Sequence, residues 1–250
     1  MGNLMNLPPL DIRPDSSVVL LTGAGISAES GIATFRDSGG LWEQHDVSQV
    51  ATPEGFRSNP GLVWRFYSER RRQASLVHPN PGHFAVSALE QFLASRGRFT
   101  LVTQNVDGLH QRAGSQRVLA VHGSLFKTRC SSSECAQGLC SWEDHSLHFQ
   151  DVPLCPGCGS MLRPDIVWFG EYLDPAIESA AREAIADCDL FLAIGTSGAV
   201  WPVAGYVDIA LARGARTVLV NLELPANANR FAEVHLGKSA DLLPRLLPGG

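Results

Sequence analysis

Five times along the chain an apolar run rich in β-branched residues ends abruptly in small or polar ones: VVLLTGAGIS, RFTLVTQNVDG, VLAVHGSL, DLFLAIGTSGAV and TVLVNLELP. The runs fall at residues 18–22, 99–104, 118–122, 189–194 and 216–220. Strands that are hydrophobic almost throughout must be buried on both faces, which is the condition of a parallel sheet covered by helices. Segments with helical spacing lie between or beside them, at 61–77, 83–95, 176–187 and 201–213. The pattern predicts an α/β fold in which ligands bind at the carboxyl ends of the strands. The polar strand ends, TQNVDGLHQ above all, would then line one shared cleft.

Two segments interrupt the alternation, 31–80 and 124–170, and both read as insertions. The second carries most of the cysteine. Of six cysteines, five fall between 130 and 158, where Cys130 and Cys135 have four residues between them and Cys155-Pro156-Gly157-Cys158 forms a tight knuckle. Two such turns can supply four thiolates to a tetrahedral Zn²⁺, a structural site with no open position. The four-residue gap is wide for such a pair, so Cys140 is an alternative to Cys135. Cys188, isolated in IADCDLFL, reads as core.

The chain's 250 residues, 44% of them hydrophobic, suffice for one sizeable core plus a small satellite. A net charge of −5 offers no general attraction to nucleic acid or an anionic membrane. No apolar run approaches the ~20 residues of a membrane helix, and the amino terminus has no basic-then-apolar secretory pattern. The expectation is a soluble, cytoplasmic monomer without nucleic-acid or membrane partners, with its first dozen residues and its LPGG tail loosely ordered.

Gly23 and Gly25 directly follow the first strand, where glycines let the backbone approach a pyrophosphate. The G-x-G-x-x-G pattern is incomplete, with Ala28 in third place. Taken alone, GAG is more often a plain tight turn. There is no Walker lysine. A lone His after a strand is more often structural than catalytic, and Asn105 and Asp107 could simply shape a turn.

The combination is another matter. GAGISAESGIATFRD, TQNVDGLHQRAG, VHGSL, LRPDIVWFGE, GTSGAVWPVA and the NLE after the last run occur in this order, with the cysteine pairs between VHGSL and VWFGE. Together they resemble the sirtuin family of NAD-dependent protein-lysine deacylases over residues 15–247. Ala33 departs from the family's usual Pro. The resemblance implies a Rossmann-like parallel sheet with helices on both faces, plus a small zinc-binding domain formed by insertions. Residues 15–30, 81–123 and 171–247 would be the NAD-binding domain, 31–80 a helical insertion with cofactor loop and acyl-pocket helix, and 124–170 the zinc module.

NAD would be consumed as co-substrate, and one Zn²⁺ held by Cys130, Cys135, Cys155 and Cys158. Carried onto this chain, Gly23, Ala24, Gly25, Ile26, Phe35 and Arg36 would hold the pyrophosphate side. Gln104, Asn105 and Asp107 would position nicotinamide and its ribose. Gly195, Thr196, Ser197, Asn221 and Glu223 would surround the adenosine half, with the backbone of Ala240 against the adenine. His122 would be the catalytic base, assisted by Asn105 and Asp107. An acylated peptide would lie along Val167, Trp168, Phe169, Gly170 and Glu171, pairing as an added strand. Finally, Tyr67 and Arg70 stand three apart on one helix face, and Y-x-x-R after ATPEGF resembles the class III subgroup that removes succinyl, malonyl and glutaryl groups. Spacing alone would favour a basic helix surface, since Arg65, Arg71 and Arg72 are neighbours. Mono-ADP-ribosyl transfer, a non-catalytic NAD or zinc module, and a hydride-transferring dehydrogenase are the competing readings; the last two leave His122, Asn105 and Asp107 without a task.

Overall fold

The computed structural model describes residues 7–33, 41–42, 45–135, 141–149 and 151–249. In chain order its elements are β1 (Ser17–Thr22), β2 (Leu41–Trp42), β3 (His45–Asp46), α1 (Val47–Val50), α2 (Pro53–Ser58), α3 (Pro60–Leu76), α4 (Pro81–Leu93), β4 (Arg98–Thr103), α5 (Leu109–Arg112) and β5 (Val118–Ala120). There follow β6 (Gly123–Cys130), β7 (Ser141–Glu143), β8 (Leu162–Ile166), α6 (Pro175–Ala186), β9 (Leu190–Ile194), α7 (Tyr206–Ala212), β10 (Arg216–Asn221), β11 (Glu233–Leu236) and α8 (Ser239–Leu246).

Six strands form one sheet in the order β11-β10-β9-β1-β4-β5, all parallel. Every residue of β1 is buried, as its unbroken apolar run requires of a central strand. Alternate residues serve opposite faces. Val18 and Leu20 join Leu89, Leu93, Leu243 and Leu246 of α4 and α8, whereas Val19 and Leu21 join Ala181, Ile185, Tyr206 and Val207 of α6 and α7. The chain winds from β1 to β4 and β5 on one side, and through β9 to β11 on the other. The reversal at β1 and β9 opens a crevice at their carboxyl ends, where open α/β sheets bind ligands.

Three helices begin with an Asn or Asp cap followed by Pro, whose fixed φ and missing N–H suit a first turn. Asn59 accepts from the Leu62 amide, Asp174 from the Ala176 and Ile177 amides, and Asn80 forms a reciprocal capping box with His83. A second, antiparallel sheet, β7-β6-β8, packs with α3 through Trp64, Phe66, Tyr67, Leu125, Leu162, Ile166 and Trp168. No helix among the described residues is long and apolar enough to cross a membrane.

Three expectations are corrected. Leu10 and Ile12 are buried, and the Leu10 amide donates to the Leu246 carbonyl, so the residues from Leu10 on are tied to the core. A sixth parallel strand, β11, and helix α8 close the sheet; Glu233 and His235 interrupt the apolar pattern of the first, and Pro244 that of the second. Arg71 is no surface residue. It is completely buried, donating to the carbonyls of Leu125, Lys127 and Ser146, to Asp144 and to Thr128. A guanidinium withdrawn from water needs several oxygens around it. Here they fix the rotation of α3 against the second sheet. Cys188 is buried, as expected.

Candidate active site and metal centre

The four cysteine sulfurs of Cys130, Cys135, Cys155 and Cys158 lie within 4.8 Å of one another. Two of the separations are 3.6 Å (Cys130–Cys158) and 3.8 Å (Cys135–Cys155). A tetrahedron with Zn–S near 2.3 Å has edges of about 3.8 Å, so the set fits a zinc ion. The knuckle is folded by local bonds: the Cys155 amide donates to the Ser160 carbonyl, the Gly159 amide to the Cys155 carbonyl, and Gly159 takes φ 74°. Cys140 lies outside the described residues.

At the crevice, the loops after β1 and β9 touch backbone to backbone. The Gly25 amide donates to the Gly195 carbonyl at 2.9 Å, and a Cβ on Gly25 would stand 2.6 Å from the Gly195 Cα. Glycine is required there by close approach, independently of any ligand. Both loops open onto a cavity of about 290 Å³.

That cavity gathers most of the predicted site. Its walls include Gly23, Ala24 and Gly25 after β1; Gln104, Asn105 and Asp107 after β4; His122 after β5; Val167 to Glu171 after β8; Gly195, Thr196 and Ser197 after β9; and Tyr67 and Arg70 of α3. Ile26 is buried in the core behind it. Asn221 is buried and donates to the Thr196 carbonyl, which supports the β9 loop from below. Glu223 is exposed outside the cavity wall. The Ala240 amide donates to the Glu29 carboxylate at 2.9 Å, so that N–H is engaged within the protein. Phe35 and Arg36 lie outside the described residues.

His122 is half-buried, and burial lowers its pKa against a raising hydrogen bond to the Gln104 carbonyl, 3.2 Å from Nδ1. A carbonyl can only accept, so Nδ1 carries the proton and Nε2 keeps its lone pair. The backbone of the next residue packs tightly on β8. Gly123 has φ 83°, and a Cβ there would collide with the Asp165 carbonyl of β8.

Sequence reasoning missed the layer beneath Asn105 and Asp107. Ser27 donates to Asp107 Oδ2 at 2.7 Å and accepts from Asn105 Nδ2 at 3.2 Å. Its one proton is thus committed, and His83 Nε2, 3.4 Å away, is the donor of their contact; His83 Nδ1 accepts from the Asn80 amide. Burial pushes His83 down to about 4 and, with the His83 charge, His110 to about 3, so both rings are neutral. The Asp107 carboxyl is pushed up by burial, opposed by the Leu109 amide, Ser27 and the Arg112 charge. The Ser of GAGIS and the His of NPGH were the available signals.

Along VWFGE the amides are largely occupied: Val167 donates to His122, Phe169 to Ala51 and Trp168 to the Glu171 carboxylate. An added strand would use carbonyl oxygens here. Burial opposes the Glu171 charge, but hydrogen bonds from Arg163 and Trp168 and the Arg163 and Arg129 charges hold its carboxyl below the usual range.

Comparison with known proteins agrees with this geometry. The Sir2 family profile matches residues 23–202. An NAD-dependent protein deacylase of Pasteurella multocida (strain Pm70) is 48% identical over 232 residues, covering 92% of this chain and 96% of the relative. A Sir2 homologue–NAD complex superposes with TM-score 0.83 at 34% identity, covering 95% of this chain and 93% of the other. A Sir2 bound to acetylated peptide does so with TM-score 0.78 at 30% identity, covering 91% and 90%. With its glycine loops, four-cysteine centre and strand-end cavity, this chain belongs to the Sir2 family.

Proposed function

We propose that this NAD-dependent protein deacylase removes acyl groups ending in a carboxylate, succinyl and malonyl, as well as acetyl, from lysine side chains. Nicotinamide and O-acyl-ADP-ribose are the products besides free lysine. The supporting observation is that one cavity holds both the His122, Asn105 and Asp107 set and the Tyr67 and Arg70 pair. NAD supplies a ribose carbon that loses nicotinamide. The loops at Gly23–Gly25 and Gly195–Ser197 cradle the dinucleotide, with Asn221, Glu223 and Ala240 on its adenosine side. Asn105 and Asp107 grip the carboxamide and ribose, held from behind by Ser27. His122 Nε2 takes a proton from a ribose hydroxyl. Residues 31–80 supply the acyl-pocket helix and 124–170 the zinc module beside the NAD-binding sheet, and the protein-bound acyl-lysine enters along Val167–Glu171.

The acyl preference rests on chemistry. A succinyl or malonyl chain ends in a charge that a plain acetyl pocket would leave unpaired. Arg70 is half-buried, lines the cavity and stands over the Phe66 ring at 4.9 Å. Its guanidinium can bind a carboxylate bidentately. Removing one partner of such a desolvated pair costs about 2–5 kcal/mol, or ~30-fold and more in kcat/KM. Arg70→Met is therefore expected to lower the succinyl-to-acetyl ratio of kcat/KM by that factor, and Tyr67→Phe by less. Equal loss on both substrates would assign Arg70 to fold or NAD. An unchanged ratio would place the carboxylate elsewhere.

A further inference from the structure

We infer that Trp168 is a specificity-determining positioning residue, whose indole N–H orients the Tyr67 hydroxyl so that Tyr67 donates to a carboxylate-ended acyl group. The inference rests on the acyl-pocket reading above. Trp168 Nε1 donates to the Tyr67 oxygen at 3.0 Å, across 101 residues of chain. A phenol has one proton and two lone pairs. With one lone pair facing an indole N–H, the phenolic proton is directed away from Trp168. Tyr67 lines the cavity, and burial keeps its hydroxyl protonated, so it meets a carboxylate as a donor.

The indole is itself held from several sides. Arg163 makes two hydrogen bonds to the Glu171 carboxylate, at 2.6 and 2.9 Å, and its guanidinium lies 3.5 Å over the Trp168 ring. The Trp168 amide donates to the same carboxylate at 2.9 Å, and the Phe56 ring packs at 5.3 Å. Glu171 thus acts here by fixing Trp168. A Phe at 168 could keep the packing and the cation–ring contact, but it has no donor. Tyr67 could then turn its own proton into the space the indole N–H left, and a carboxylate would meet an oxygen lone pair in part of the population.

Trp168→Phe is expected to lower the succinyl-to-acetyl ratio of kcat/KM roughly 3- to 10-fold, the span of one neutral hydrogen bond. In a Tyr67→Phe background the same change should leave the ratio where Tyr67→Phe alone puts it. Should Trp168→Phe not fold, β-(3-benzothienyl)alanine at 168 keeps the bicyclic ring and removes only the donor, and the same two backgrounds apply. A ratio that falls equally in both backgrounds would overturn the inference, because Trp168 would then act independently of Tyr67. So would a ratio unmoved by Trp168→Phe while Arg70→Met and Tyr67→Phe lower it; that result leaves the acyl-pocket reading standing. A ratio unmoved by all three would overturn both.

Discussion

A His122→Ala enzyme should fold and bind NAD, yet lose deacylation by about 10²- to 10⁴-fold in kcat/KM, the range for removing a positioned general base. The side chain leaves a half-buried site without breaking a core contact, since its described hydrogen bond is the one to the Gln104 carbonyl. That bond sets the tautomer, and burial lowers the pKa. The sign of the pH dependence follows. A base must be unprotonated, and a depressed pKa keeps it so to lower pH. The acidic limb of kcat/KM should therefore lie below pH ~6.5, the ordinary imidazole value, and disappear in His122→Ala. Melting curves and NAD titration establish that the variant is intact. Full turnover by a folded His122→Ala protein would reject this role.

Loss of zinc should have the largest effect on stability. Four thiolates brought within 4.8 Å of one another repel or stay protonated without a cation. Structural zinc in small finger peptides contributes ~10–16 kcal/mol at neutral pH, as much as the whole stability of many domains. Metal analysis should find one equivalent, and Cys155→Ala should lose it and melt the β7-β6-β8 sheet. The damage should reach the active site. Strand β6 runs from Gly123, beside His122, to Cys130 of the four-cysteine cluster, and α3 is anchored on it through Arg71. Activity should fall with metal occupancy, and circular dichroism should show partial unfolding. If Cys140→Ser loses the metal while Cys135→Ser keeps it, the ligand assignment is wrong.

Much of this architecture is legible in the sequence because burial on both faces leaves a strand little choice of residues. All five apolar runs became parallel strands, and the Asn-Pro and Asp-Pro pairs mark three helix starts. The edge strand β11 escaped notice for the converse reason: one side of it lacks a neighbour, so Glu233 and His235 are tolerated and the pattern is lost. The burial of Arg71 is not legible, because sequence gives its charge but not the oxygens that gather around it. The cavity's residues were foreseeable as strand ends. Their support was not, because Ser27, His83, Arg163 and Glu171 act through contacts across 8 to 80 residues of chain. The cysteine set was legible from spacing: the fold gathers Cys135 with the other three, and Cys140, the alternative, lies outside the described residues.

The most direct measurement is mass spectrometry of the products formed from NAD and matched succinyl-, malonyl- and acetyl-lysine peptides. Predicted are free lysine peptide, nicotinamide and O-acyl-ADP-ribose in equal amounts, with turnover of the carboxylate-ended peptides depending on Arg70. Nicotinamide released with every acyl-lysine left intact, or ADP-ribose found attached to protein, would contradict the account.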